Sequence, residues 1–480
     1  MGEVLTPDLC VIGAGSAGLS VAAIAASFGV PVVLIERGRM GGECLNVGCV
    51  PSKALIAAGG RRTSVVHAPR FGIAAEPDPP VDFGQVRDHV RDVIATIAPN
   101  DSAERFAALG VRVVKGQARF ADPQTVIVGD VAIRGRRTVL ATGSEPAAPA
   151  IPGLEEVPFL TNENIFGLAE RPGHLLVVGG GPVGVEIAQA FRRLGAPATL
   201  LEAAERLLAR EDLEMAAVVE RSLLRDGVAL RTGVSIERVE PRERGLGLEI
   251  RKGDDRQTLQ GSHLLLAVGR RAVTEGLGLE AAGIAVDRSG IVVDRGLRTT
   301  NRRVYAIGDC AGGAAAGYRF THVSNWHAGL VIRSALFRLP VRIDTTPIPR
   351  VTYTDPELAA VGLSEEEARA RHRAIRILRF PFSENDRARA ERHTAGHVKA
   401  IATPRGKLLG CAIAGPHAGE LILPWVLALS NGLKVQDLAG VVFPYPTFSE
   451  VTKRAAVEFL RPAAQSPWLR RIIGVARRFG

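Results

Sequence analysis

Apolar residues in this chain come in short runs broken by glycine, and the first run is the clearest. LCVIGAGSAGLSVAAIAASFGVPVVLIE, Leu9 to Glu36, carries no charge between Leu9 and Ile35. It predicts a strand, a glycine turn, a helix of small residues and a second strand ending on an acid. The arrangement returns at residues 175–202, LLVVGGGPVGVEIAQAFRRLGAPATLLE. In each copy the terminal acid, Glu36 or Glu202, stands eighteen residues past the third glycine, Gly18 or Gly184, which marks an internal repeat. Three more apolar strands end in glycine: TVLATGSEP (Thr138 to Pro146), LLLAVGRR (Leu264 to Arg271) and RVYAIGDC (Arg303 to Cys310). They read as points where the chain returns to the repeated units or passes between domains.

Gly13, Gly15 and Gly18, and again Gly179, Gly181 and Gly184, form GxGxxG turns between strand and helix. In a Rossmann unit such glycines allow a tight turn and let the backbone approach a pyrophosphate at the helix N-terminus. Glu36 and Glu202 would accept from ribose hydroxyls. Two such units imply two dinucleotides on one chain. An acid at Glu202 favours the free 2′-hydroxyl of NADH over the 2′-phosphate of NADPH, and Arg206 lies near enough to soften that preference.

Composition agrees with this reading. A chain of 480 residues suits two to four domains, and 46% hydrophobic residues with 53 glycines and 5% aromatics describe a glycine-rich α/β protein. The net charge is +10, yet only seven of the 60 basic residues are lysine and no aromatic-interleaved basic stripe occurs, so no nucleic-acid partner is expected. The uncharged stretch after Leu9 is interrupted by GAGSAG and has no basic segment before it, so neither a membrane span nor a cleaved targeting segment is expected. Five cysteines are too few for a secreted disulfide scaffold, and a reducing cytoplasm fits.

Two of those cysteines carry the chemistry. Cys44 and Cys49 lie in GGECLNVGCVPSK, Gly41 to Lys53, with four residues between them and a helix expected to follow. A bridge closing so short a loop restricts the unfolded chain little, which leaves electron transfer as the better reason for it. At a helix N-terminus one of the two thiols should ionise easily. A zinc site would want more cysteine or histidine at ligand spacing, whereas Cys10, Cys310 and Cys411 each stand alone. Cys10 and Cys411 read as core.

With these motifs the sequence resembles the flavoprotein disulfide reductases of the pyridine nucleotide type, the group holding dihydrolipoamide dehydrogenase, glutathione reductase and mercuric reductase. The likeness runs from the first glycine turn to about Leu460. It implies an FAD-dependent, NAD(P)H-linked oxidoreductase acting on a sulfur group, with two Rossmann-like domains, a C-terminal α+β dimerisation domain and a homodimeric assembly. The expected division is 1–146 and 269–340 for FAD, 147–268 for NAD(P), 341–460 for the interface and 461–480 for a basic tail. By the same resemblance Cys49 is the sulfur nearest the flavin and forms the charge-transfer thiolate, and Cys44 is the interchange thiol. Lys53 and Glu186 match an ion pair beside the flavin N5, and Asp309 matches the residue that holds the ribityl chain. Gly41, Gly42, Thr142, Gly143, Gly269 and Gly308 fall in the strings expected to line the cofactor sites. The C-terminal strings IPRVTYTDPELAAVGLSEEEA and GCAIAGPHAGELI resemble the interface domain, whose last segment completes the partner's active site.

That last segment, VVFPYPTFSEVTKRAA, departs from the pattern. Where members handling dithiols carry a histidine base followed by Pro, Thr and, further on, an orienting Glu, this chain has Tyr445, Pro446, Thr447 and Glu450. A tyrosine titrating near 10 is a poor base at neutral pH. The substitution resembles mercuric reductase, yet no cysteine follows Cys411, where the mercury enzymes carry a second pair. The acceptor classes left open are a dithiol or disulfide, a metal ion and a quinone. A flavoprotein that mainly binds, docked to a complex or a membrane, is the non-enzymatic rival, which the intact redox set disfavours. The tail holds five arginines and no acid, with Leu469, Ile472, Ile473 and Ala476 at helical spacing. It is expected to dock on its own protein or to touch an anionic membrane weakly.

Overall fold

The computed structural model describes residues 3–464 and 466–479. One compact unit joins the segment ending at Pro172 with His263–Ile343. At its centre strands Leu9–Ile12 and Val32–Glu36 run parallel, Leu9 beside Val32 and Ile12 beside Ile35. Arg137–Leu140 and Val304–Ala306 extend this sheet on one side and Val111–Lys115 on the other. Leu9, Cys10, Val11 and Ile12 are all buried, which explains why the strand reads as an unbroken apolar run rather than an alternation. Helix Ser16–Ser27 lies close against the turn before it, because a Cβ at Gly18 would sit 1.8 Å from the carbonyl oxygen of Gly13.

The second unit joins Gly173–Ser262 with the segment that starts at Asp344. Strands Leu175–Val178, Ala198–Glu202 and Ala229–Thr232 pair in parallel, and helix Pro182–Arg193 follows the second glycine turn. The repeat anticipated from the sequence is therefore a repeat of structure: strand, uncapped helix start and acid-ended strand recur. A three-stranded antiparallel sheet spans Ser235–Gly261. The C-terminal part is a five-stranded antiparallel sheet ordered Arg350–Thr352, Glu357–Gly362, Leu408–Gly415, His397–Ala402, Arg376–Pro381. Its core gathers Trp425, Phe382, Ile413 and Cys411. Cys10 and Cys411 are core residues, as the sequence suggests, and burial pushes the Cys10 thiol up to about 12.

One strand of that sheet carries a charge inward. Lys399 is 3% exposed and its ammonium meets Asp212 at 2.9 Å, Glu214 at 2.8 Å and Glu365 at 2.7 Å. Asp212 is the N-cap of helix Leu213–Asp226, so the network joins that helix to the C-terminal sheet. Beyond Glu450–Val457 the tail forms helices Arg461–Ala464 and Pro467–Ala476. Among the described residues no helix is long and apolar enough to cross a membrane.

Candidate active site

The redox string folds onto the first dinucleotide turn. Gly41 donates its amide to the Ala14 carbonyl at 2.9 Å, and a Cβ at Gly42 would lie 2.6 Å from the Cα of Gly15, so only glycine lets the two segments touch. A short helix, Gly42–Asn46, carries Cys44, and Cys49 opens the helix Cys49–His67. The Cys49 sulfur lies 3.4 Å from the hydroxyl of Thr321, the first residue of helix Thr321–Ala335. It thus sits at the N-terminal ends of two helices, where partial positive charge favours a thiolate. Cys44 is pushed well above the usual thiol range, first by its hydrogen bond to Cys49, then by burial and by negative charge on Cys49. The surroundings thus favour the protonated form at Cys44. Among the described residues no group of three or more His, Cys, Asp or Glu is placed to hold a metal ion.

Lys53 lies one turn after Cys49 on the same helix and donates to the Ser52 hydroxyl at 3.4 Å. Glu186, in the other unit, is 5% exposed and accepts from the Tyr353 amide at 2.9 Å. Thr142 donates to the Val273 carbonyl at 2.7 Å, and Gly143, Gly269 and Gly308 all take positive φ at strand ends. Asp309 accepts from the Ser144 hydroxyl at 2.6 Å.

The sequence reading missed a network that this geometry exposes. Glu43, inside the redox string, accepts from Arg270 at 2.5 Å and from Asn162 at 3.1 Å. Arg270 also donates to the Ser144 hydroxyl at 2.7 Å and its carbonyl at 2.8 Å, so the chain of contacts reaches Asp309. Burial raises the Glu43 carboxyl to about 7 against the pull of Arg270, helped by the negative charges of Asp309, Cys49 and Glu163. Glu43 lies in GGECLNVGCVPSK and Arg270 in LLLAVGRR, but nothing local to either string says that they meet.

The two glycine turns fit dinucleotides. Gly15 and Gly181 occupy the N-cap positions of their helices with no side-chain cap, so the first helical amides are left for a ligand. A Cβ at Gly181 would meet nothing within 4 Å, which leaves the approach open. Glu36 accepts from the amides of Ala14 and Gly38, each at 2.6 Å. Glu202 repeats this with Gly180 at 2.6 Å and Ala204 at 2.7 Å. Both acids are thus fixed at the ends of their strands beside the turns. Arg206, expected to soften the choice of nucleotide, instead donates to the carbonyls of Leu208, Ala209 and Glu211 within its own loop.

Tyr445 is exposed and donates its hydroxyl to Asp386 at 3.1 Å. That bond, the charge of Asp386 and the nearby charge of Glu450 all push its pKa up from 10. Glu450 starts helix Glu450–Val457, but the hydrogen-bond partner of the tyrosine is Asp386, which no sequence motif singles out.

Comparison with known proteins fits this geometry. Residues 7–329 match the family model described as pyridine nucleotide-disulphide oxidoreductase. Residues 348–456 match that family's dimerisation domain, which supports a homodimer. The chain is 36% identical to a mercuric reductase of Streptomyces lividans over 465 residues, covering 95% of this chain and 97% of that protein. It is also 36% identical to a dihydrolipoyl dehydrogenase of Thermus scotoductus over 468 residues, covering 94% and 97%. Among solved structures, the Cu(II) complex of the HOCl-induced flavoprotein disulfide reductase RclA from Escherichia coli superposes with a TM-score of 0.84 at 29% identity, covering 95% of this chain and 99% of that one. With two uncapped nucleotide turns, a thiol pair set on the first of them and a matching dimerisation domain, the chain belongs to the pyridine nucleotide-disulphide oxidoreductases and is an FAD-containing, NAD(P)H-dependent enzyme.

Proposed function

We propose that the enzyme works outward, from NADH to a quinone or metal-ion acceptor, rather than by efficient oxidation of dihydrolipoamide. The observation that carries this reading is Tyr445. A dithiol substrate must lose a proton as it is oxidised, and a tyrosine whose pKa is raised by Asp386 cannot take it near neutrality. Bound FAD supplies the two-electron relay between the nicotinamide and the Cys44–Cys49 pair. In this reading Cys49 holds the thiolate against Thr321 and the helix start, while Cys44 keeps its proton and meets the acceptor. Lys53 supplies positive charge beside the reduced cofactor, with Glu186 as the acid at the second turn's helix, and Asp309 with Ser144 orients the ribityl chain. The preference for NADH rests on Glu202, since Arg206 is committed to its own loop. The domain division 1–146, 147–268, 269–340 and 341–460 assigns these roles, and the partners are a second copy of the chain, a small-molecule acceptor and, through the tail, a membrane surface. A reducing compartment such as the cytoplasm suits a pair of which Cys49 is exposed.

The test is a panel on the purified holoenzyme: dihydrolipoamide with NAD, Hg(II), quinones and small disulfides, comparing wild type with Tyr445→His. Slow dihydrolipoamide oxidation that rises at least tenfold in Tyr445→His, with quinone or Hg(II) turnover little changed, is the expected outcome. Unchanged dihydrolipoamide turnover in the variant would show that Tyr445 does not decide the acceptor.

A further inference from the structure

The helix Pro467–Ala476 leaves all of its described side chains unburied, although it carries Trp468, Leu469, Ile472, Ile473 and Val475. Trp468 is 69% exposed, Ile473 51% and Val475 54%. The docking of this face on its own protein, one of two expectations from the sequence, is not what the structure shows. At 3.6 residues per turn, Trp468, Ile472, Ile473 and Val475 fall on one side of the helix, while Arg470 and Arg471 fall on the other and Arg477 and Arg478 follow directly after its last turn. No acid occurs between Phe459 and Gly480, so the polar side has a single sign. The matched dimerisation domain ends at residue 456, before this helix begins.

We propose that this tail helix binds an anionic lipid surface, lying flat with its apolar side in the acyl boundary and its arginines on the headgroup phosphates. The inference deepens the membrane contact named above and is independent of which acceptor the thiols reduce. A surface of lipid headgroups suits the split better than a second copy would. Tails of identical positive charge repel one another, and three turns offer little area for a stable helix pair in water. At an interface the indole of Trp468 sits at headgroup depth and the arginine stems reach outward along the helix to phosphate. Each arginine near an anionic leaflet contributes about fivefold to partitioning, so four contribute on the order of a few hundredfold. A homodimer presents two such helices, and the second binding step then occurs at high effective concentration.

The experiment is co-sedimentation of the full-length holoenzyme with phosphatidylcholine vesicles, with and without phosphatidylglycerol, at low and high salt. Binding is expected only with phosphatidylglycerol, and it should fall at high salt. It should weaken on the order of a hundredfold when Arg470, Arg471, Arg477 and Arg478 become Gln, and also fall in Ile472→Ser/Ile473→Ser. NADH turnover with a soluble acceptor should stay unchanged in both variants, which separates this proposal from the one about the acceptor. Equal binding to neutral vesicles, binding that survives deletion of residues 461–480, or tail-dependent formation of larger assemblies without vesicle binding would each overturn it.

Discussion

Glu43→Gln isolates the effect of a buried charge beside the redox pair. In the wild type the carboxyl is raised from 4.5 to about 7. Because the folded value lies above the unfolded one, the folded protein keeps a proton that the unfolded chain has already lost between those two pH values. Stability therefore falls as pH rises through this window, and above it the whole cost is present. The raw shift corresponds to roughly 3 kcal/mol at 1.36 kcal/mol per pH unit, reduced to about 2 kcal/mol because water screens the exposed part of the group. Glutamine is the neutral isostere, and Arg270 keeps its bonds to Ser144 and its 3.2 Å bond to the Asn162 side-chain oxygen. The variant should thus be about 1–2 kcal/mol more stable than wild type at pH 8 and nearly equal to it at pH 4.5. Urea midpoints followed by circular dichroism at the two pH values measure this. A second readout is alkylation of the NADH-reduced protein by iodoacetamide. Negative charges on Glu43 and Cys49 oppose each other, so the thiolate should persist to lower pH in the variant. If the stability difference is the same at both pH values and the alkylation profile does not move, the carboxyl does not carry this charge coupling.

Three further outcomes follow from other contacts. Lys399→Met removes the cation shared by Asp212, Glu214 and Glu365 and should cost about 3–5 kcal/mol, read as a lowered urea midpoint, because Asp212 is then a buried carboxylate without its partner. Glu214 itself is held down to about 2, chiefly by its bond to Arg379. Its contribution is present above about pH 4.5 and lost as pH falls toward 2, and for so exposed a group Glu214→Gln should remove only about 0.5–1 kcal/mol in an acid titration. Glu202→Ala should raise KM for NADH about tenfold and narrow the preference over NADPH, measured by steady-state kinetics with both nucleotides.

What the sequence made legible was what lies in contiguous strings. The glycine turns, the acids eighteen residues beyond them and the cysteine pair all act through near neighbours, so spacing alone places them. Contacts between distant strings were not legible. Glu43 and Arg270 are 227 residues apart and Tyr445 and Asp386 59, and each pair meets only because separate strands and loops converge. Lys399 is a similar case. In HVKAIA it looks like the polar residue of a half-exposed strand, and only the packing of helices Leu213–Asp226 and Glu365–Arg371 supplies the carboxylates that let it turn inward.

That buried lysine also bears on how the polypeptide can be divided. The nucleotide-binding stretch Gly173–Ser262 is continuous in sequence and looks separable, yet it shares one compact unit with the segment from Asp344 onward. Cut out at its own ends, it would leave Asp212 without Lys399, Glu186 without the Tyr353 amide, and the Gln189 side chain without the Asp355 backbone. A fragment meant to bind nucleotide on its own should therefore retain the antiparallel sheet, joined to it by a linker in place of residues 263–343.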